Sequence, residues 1–314
     1  MKHVIDKNYF PGWVRKSVSF TIDDGNLEMD RKFLDILRPA GIIGTFNLCY
    51  PSGMSAEEYR KMYRGYEIAN HVANHPELFV HGVDYKFSDE KFDRETADFD
   101  HLYRVEGIDA LWWVSGKYYN VDPTRWYRIT DAENYNKMMD RSHKILSEVF
   151  GEGSVRSFVW PFGKQDDSEP IINHVKELGY YGARDAGYPV KSFSLPEDRM
   201  NWCYCASHRN LLSVMADYAA LPDDGELKFF SFGVHSIDYE RDGKWDDLRE
   251  FAEKYGKRPE EFYYASIGDI FDYEDAIKAL VVTDTEIVND SSLTLYLKLD
   301  GERVTIAPKS TCKI

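Results

Sequence analysis

The amino-acid sequence predicts an α/β protein in which a mainly parallel sheet is covered by helices and ends in a short antiparallel β tail. Three observations carry that expectation. Short apolar runs of strand length alternate with segments of helical periodicity, those runs stop at clusters of Asp, His, Pro and Gly, and after about Val281 the texture changes to alternating β runs separated by Asn-Asp and Asp-Gly turns. At 314 residues, 43% hydrophobic and 30% charged, the chain has room for a sizeable core.

Taken in order, SVSFTID (Ser17 to Asp23) reads as a buried strand that stops at Asp-Asp-Gly, and LEMDRKFLDILRPAG after it has helical periodicity ending at Pro39 and Gly41. IIGTFNL is a strand followed by the helix SAEEYRKMYRG, and YEIANH is a strand followed by a helix within Asp89 to Tyr103. VRSFVW leads to the helix PIINHVKELG, and GYYGARD supplies a further strand. KFFSFGVHS, the helical WDDLREFAEKYG, a short strand near Phe262 to Ala265 and the helix SIGDIFDYEDAIKAL complete the series. The stretch from about 105 to 130 breaks this rhythm while holding Trp112, Trp113, Tyr118, Tyr119, Trp126 and Tyr127, and reads as an inserted aromatic loop suited to a pocket wall. The domain organisation expected is a main domain over 1–280 and a small β appendage over 281–314 packed on it.

The 39 Lys and Arg against 54 Asp and Glu give a net charge of -15, which repels a nucleic-acid backbone or an anionic membrane and favours uncharged or cationic ligands. No apolar run approaches the roughly 20 residues that span a bilayer. The first residues lack the pattern of a secretory signal, so a cytoplasmic location is expected. Cys49, Cys203, Cys205 and Cys312 are too scattered for a disulfide scaffold and read as reduced structural thiols. There is no Walker loop, dinucleotide fingerprint or nucleophile elbow. Aromatic residues make up 15% of the chain; such rings fill cores and also suit ligands with flat apolar faces and many hydroxyls.

Parallel α/β folds deliver functional groups at the carboxyl ends of their strands. Four strand ends stand out: Asp23 and Asp24; His71 and His75; Pro161, Phe162 and Gly163; and His235. Adjacent carboxylates alternate in direction, so one can bind a metal while the other faces water or substrate; Asp-Asp-Gly-Asn also serves as an Asx-turn or helix cap. Two histidines four apart on one helical turn can share a metal, or can be an ordinary surface pair. Together, one carboxylate and two imidazoles make a three-ligand site with an open position, as catalytic metal sites have.

In these residues the sequence resembles the polysaccharide deacetylases of carbohydrate esterase family four, which share the NodB homology domain. Thr21-Ile22-Asp23-Asp24-Gly25 is similar to the family's Thr-Phe-Asp-Asp-Gly, and His71-Val72-Ala73-Asn74-His75 to its His-Ser/Thr-x-x-His. Val159-Trp160-Pro161-Phe162-Gly163 is similar to Arg-x-Pro-Tyr/Phe-Gly, and Gly233-Val234-His235 to the late leucine-x-histidine, with order and spacing agreeing over about 15 to 280. The resemblance implies a distorted (β/α)7-type barrel. It implies that Asp24, His71 and His75 hold one divalent ion, zinc first and then cobalt, manganese or nickel. By the same resemblance Asp23 is the base, His235 the acid, and the Phe162 N-H, on the turn with Pro161 and Gly163, an oxyanion donor.

There are three departures. Val72 stands where the family has a hydroxyl residue, Val159 where it has the arginine that holds the catalytic Asp, and the Asp-rich fourth motif ending in Asp-Trp is represented at best by Ala183-Arg184-Asp185. Arg184 is expected to supply that guanidinium from a neighbouring strand end, with Asp185 orienting His235; the alternative is that Arg184 and Asp185 form a surface ion pair. His208, after another apolar run, is a candidate substrate contact. The implied function is removal of acetyl groups from an N- or O-acetylated saccharide. Its alternatives are hydrolysis of a small non-sugar amide or ureide, and a non-catalytic carbohydrate-binding homologue.

Overall fold

The computed structural model describes residues 3–49, 51, 53–164, 168–185, 187 and 189–314. Seven parallel strands form the main sheet: β1 (Lys16–Asp24), β2 (Thr45–Leu48), β3 (Glu67–Asn70), β4 (Val155–Val159), β5 (Ala183–Arg184), β6 (Lys228–His235) and β7 (Phe262–Tyr264). Their order is β5-β4-β3-β2-β1-β6; β7 pairs with the start of β1, at Lys16 to Val18, and β2 with its end, at Thr21 to Asp24. The sheet curls, and single bridges from Trp202 to Arg184 and from Ala206 to Phe232 link its β5 and β6 edges. The result is a distorted (β/α)7-type barrel.

Side chains alternate along a strand, and β1 shows what that does to the two faces. Val18, Phe20 and Ile22 join the large hydrophobic core, where Phe20 meets Phe33 and Phe46 edge-to-face at 5.1 and 5.3 Å. Burying each such ring contributes about 1.5–3 kcal/mol. Ser17, Ser19, Thr21 and Asp23 occupy the opposite face and are buried too. That inner face is therefore small and polar, and Asp23 arrives at the rim where the carboxyl ends of the parallel strands meet.

The helices are α1 (Leu27–Leu37), α2 (Ala56–Met62), α3 (Ala132–Phe150), α4 (Glu169–Glu177), α5 (Leu211–Ala219), α6 (Ser236–Arg241), α7 (Trp245–Tyr255) and α8 (Ile267–Lys278). Asn26 caps α1, its side chain accepting from the Met29 N-H at 3.2 Å, so neither Asp23 nor Asp24 serves as that helix's cap.

Three expectations are corrected. Residues 89–103 form no helix: Asp93 and Asp98 accept backbone N-H groups two residues on, closing turns that compete with helix formation. The aromatic stretch is not a loop but part of a five-stranded sheet ordered Glu77–Leu78, Trp126–Thr130, Trp112–Ser115, His101–Arg104 and Lys86–Ser88. Aromatic rings bind it together: Phe92, from the loop between Lys86–Ser88 and His101–Arg104, stacks on Trp113 at 5.4 Å and sits edge-on to Trp126 at 4.8 Å. Finally, the antiparallel tail is present, but it includes the strand Ile5–Tyr9, which pairs with Leu295–Leu299, so the appendage is not made of 281–314 alone. Leu295, Leu297 and Ile306 share one core with Phe10 and with Ile270 and Phe271 of α8, which ties both chain ends to the barrel.

Candidate active site and metal centre

The rim at the carboxyl ends of β1, β2, β3 and β6 collects the titratable groups. Asp24 Oδ1 lies 3.4 Å from His71 Nε2 and 3.5 Å from His75 Nε2, and Asp24 Oδ2 lies 3.5 Å from His235 Nε2. His71 and His75 do not share a helical turn: they sit on a loop after β3 in which Val72, Asn74 and His75 all have positive φ. Such residues are strained and persist where the surroundings over-determine them. Asn70 does this locally, accepting from the Val72 N-H at 2.9 Å while donating to the Met139 carbonyl of α3 at 2.9 Å. Asp24 is itself left-handed at φ 74°, and a side chain at Gly25 (φ 74°) would meet Leu48 at 2.7 Å.

The donor set fits a divalent cation. His71 is 1% exposed; its Nδ1 is hydrogen-bonded to the Val159 carbonyl at 2.9 Å, which aims the buried Nε2 towards Asp24 Oδ1, where it can bind a cation. Burial, and then the neighbouring His71, push the His75 pKa down to about 4, so its ring is neutral and free to donate. Burial works against the charge of Asp24, but the contacts with His71, His235 and His75 outweigh it and keep the carboxylate ionised. A fourth group, Cys49, completes a cluster with Asp24, His71 and His75 whose ligand atoms all lie within 4.8 Å of one another.

Asp23 is 5% exposed and its Oδ1 accepts twice, from Asn47 Nδ2 at 2.7 Å and from the Arg184 guanidinium. Burial raises the carboxyl's pKa, yet Arg184, with His71 and His235 behind it, holds it below the ordinary range. Arg184 is 1% exposed, donates to the Asp185 carbonyl at 3.0 Å and lies over the Tyr204 ring at 5.3 Å, so it is not a surface group.

The remaining candidates separate. Asp185 does not reach His235: its carboxylate accepts from the Lys164 and Gly187 N-H groups at 2.8 and 3.1 Å. The carboxylate facing His235 Nδ1 is Asp238, at 3.0 Å, itself paired with Arg241 at 2.7 Å. Burial disfavours the imidazolium of His235, but Asp238, Asp23 and Asp24 outweigh it and push its pKa up to about 9. His208 is buried against Asp242, Nε2 to Oδ2 2.7 Å, and stands apart from the metal cluster. Pro161, Phe162 and Gly163 form a turn with Phe162 at φ 59°, and the half-exposed Phe162 ring lies 4.4 Å from His75. A cleft of about 540 Å³ opens beside Asp24, Cys49 and His75, with Arg128 of the aromatic sheet on its wall.

A family profile described as polysaccharide deacetylase matches residues 14–183. The chain belongs to the polysaccharide deacetylase family. The match spans both rim motifs carried by β1 and β3 and stops one residue before Arg184. Solved structures similar to this polysaccharide deacetylase family member include the peptidoglycan deacetylase PdaC from Bacillus subtilis, at 11% identity over 84% of this chain and 94% of that one, TM-score 0.42. They also include the Xyl-CE4 domain of a multidomain xylanase from the hindgut metagenome of Trinervitermes trinervoides (14% identity, 83% and 92% covered, TM-score 0.46) and a Streptococcus mutans CE4 esterase (14%, 80% and 86%, TM-score 0.46). No curated protein matches the chain. Among the described residues no helix is long and apolar enough to cross a membrane.

Three residues at this site were not singled out from sequence. Asn47 alternates onto the inner face of β2, a period-two signal that was there to be used. Asp238 stands three residues after His235, a spacing that returns a side chain to the start of a helix. Cys49 follows the last residue of β2, which is in register with Asp24.

Proposed function

We propose that this protein is a metal-dependent hydrolase that removes acetyl groups from an N- or O-acetylated saccharide. The observation that carries the reading is the placement of Asp23, clamped by Arg184 and Asn47, beside the Asp24, His71 and His75 donors, with His235 on the other side of Asp24. An acetyl group bound to nitrogen is a poor electrophile with a poor leaving group, so its hydrolysis needs a base, carbonyl polarisation and an acid. A divalent ion bound by Asp24, His71 and His75 would supply Lewis-acid polarisation and acidify water.

This chain's own residues do the rest. Both hydrogen bonds to Asp23 fall on Oδ1, which leaves Oδ2 to take a proton from water. His235, its Nδ1 held on Asp238 whose charge favours the imidazolium, presents Nε2-H as the acid for the departing group. The Phe162 N-H, on its left-handed turn, is the backbone donor offered to the developing oxyanion, and its exposed ring suits a sugar face. Asp185 holds the backbone at Lys164 and Gly187, next to that turn.

The test is acetate release by zinc-loaded protein from N-acetyl chito-oligosaccharides, peptidoglycan fragments and acetylated xylan. Acetate from one of them, lost in Asp23→Asn, supports the reading. Release of amine or ammonia from a small-amide panel alone would replace the saccharide with a small amide. Saccharide binding without turnover, unchanged by Asp23→Asn, would make the protein a binding module.

A further inference from the structure

We propose that Cys49 is the fourth protein ligand of the metal centre, so that the site holds its ion with two imidazoles, one carboxylate and one thiolate. This rests on the reading of Asp24, His71 and His75 as a metal site and adds a ligand to it. The thiol points at the carboxylate oxygen the two histidines share: Cys49 Sγ is 4.0 Å from Asp24 Oδ1, against 3.4 and 3.5 Å for the imidazole nitrogens. Donors bound at about 2.0–2.3 Å to one ion stand roughly 3.3–3.8 Å apart at tetrahedral angles, so these separations need only a modest contraction, and a fifth position on the ion stays open for the water or acetyl oxygen that the proposed reaction requires. The buried Nε2 of His71 is aimed into the same cluster without making a hydrogen bond, a second observation that the cluster is arranged to bind a cation.

The backbone supports the arrangement. Ser142 of α3 donates to the Cys49 carbonyl at 2.7 Å, and Met139 of the same helix accepts from Asn70, the residue before His71. One helix therefore anchors both loops that carry these ligands. The charges also balance: carboxylate and thiolate together neutralise a divalent cation bound by two neutral imidazoles. As the metal-sulfur bond forms, the S-H bond breaks, its electron pair stays on sulfur and the proton leaves to solvent, with no change of oxidation state. A thiolate ligand favours zinc or cobalt over manganese or magnesium.

The experiment is cobalt substitution with the full chain, comparing wild type, Cys49→Ser and Cys49→Ala, together with alkylation of the wild-type thiols followed by peptide mass spectrometry. The expected result is a near-ultraviolet sulfur-to-cobalt charge-transfer band in the wild type that both variants lack while still taking up one cobalt. Zinc should slow alkylation of Cys49 roughly 10-fold or more, by removing its lone pair from attack, and leave Cys312, in the β appendage, unaffected. Cobalt uptake with the same spectrum in all three proteins, or zinc with no effect on Cys49 alkylation, would overturn the Cys49 assignment and leave the three-ligand site standing. Failure of the wild type to take up either metal would instead overturn the metal site itself.

Discussion

Val159 and Arg184 are register partners on adjacent parallel strands, and it is Arg184 whose guanidinium crosses to Asp23. The guanidinium that reaches Asp23 thus comes from a strand one farther along the sheet than position 159. Parallel pairing sets the two side chains at the same height on the rim, so the carboxylate meets a cation from a different sequence position. The pair is almost wholly buried, where loss of one partner leaves an uncompensated charge that typically costs 3–5 kcal/mol.

Arg184→Met is expected to lower kcat by roughly 10² or more with metal content unchanged, because Asp23 loses its aim. Arg184→Lys should recover part of that, since an ammonium lacks the planar fork. Both are read by steady-state kinetics and elemental analysis. The Met variant should also be destabilised, and much less so when combined with Asp23→Asn, which leaves no buried carboxylate unpaired. Wild-type turnover in the Met variant would remove Arg184 from the mechanism.

Asp238→Asn and Asp185→Asn should behave differently. In the first, His235 keeps a hydrogen-bond acceptor but loses the charge that stabilises its imidazolium, and kcat should fall roughly 10- to 100-fold at little change in KM. The second keeps an oxygen to accept from the Lys164 and Gly187 N-H groups and should stay within about twofold of wild type. Equal losses in the two variants would contradict the separate roles.

Asp30 gives a pH dependence of stability. Burial, with a smaller contribution from Asp24, outweighs its hydrogen bonds from Ser236 and Tyr63 and pushes its pKa from 3.8 up to about 7. The folded state thus holds this proton more tightly than the unfolded chain does. Its stabilising contribution is complete below pH 3.8 and is lost as pH rises through about 7. Urea unfolding of wild type and Asp30→Asn between pH 4 and pH 8 should show the variant gaining on wild type as pH rises, by roughly 4 kcal/mol at most. A difference independent of pH would show that Asp30 does not titrate in this way.

Zinc should raise the unfolding temperature and a chelator should reverse the effect. An ion that binds only the folded state at 100 times its Kd adds about 2.7 kcal/mol. His71→Ala combined with Asp24→Ala should abolish the response, since it removes both the carboxylate and the ring held from behind by the Val159 carbonyl. A zinc response that survives this double substitution would place the ion elsewhere.

The sequence by itself determined the elements whose signals lie within a few residues of one another. Strand β1, its stop at Asp23 and Asp24, the helix after it, the turn at Pro161 to Gly163 and the β/α rhythm are set by side-chain period, caps and turn residues, and all are local. The proximity of Asp24, His71 and His75 could be expected because parallel strands bring their carboxyl ends to one rim. What only the tertiary structure decided is non-local. Rings on separate strands, such as Tyr103 and Trp126, met in a sheet where a helix and a loop were expected, and Ile5–Tyr9 found its partner at Leu295–Leu299 across nearly the whole chain. Whether Asp185 or Asp238 meets His235 depended on the direction of one side chain leaving a strand and another rising from a helix start. That Cys49 stands beside Asp24, His71 and His75 depended on the register of β2 against β1, in which one step along the strand turns a side chain from one face of the sheet to the other.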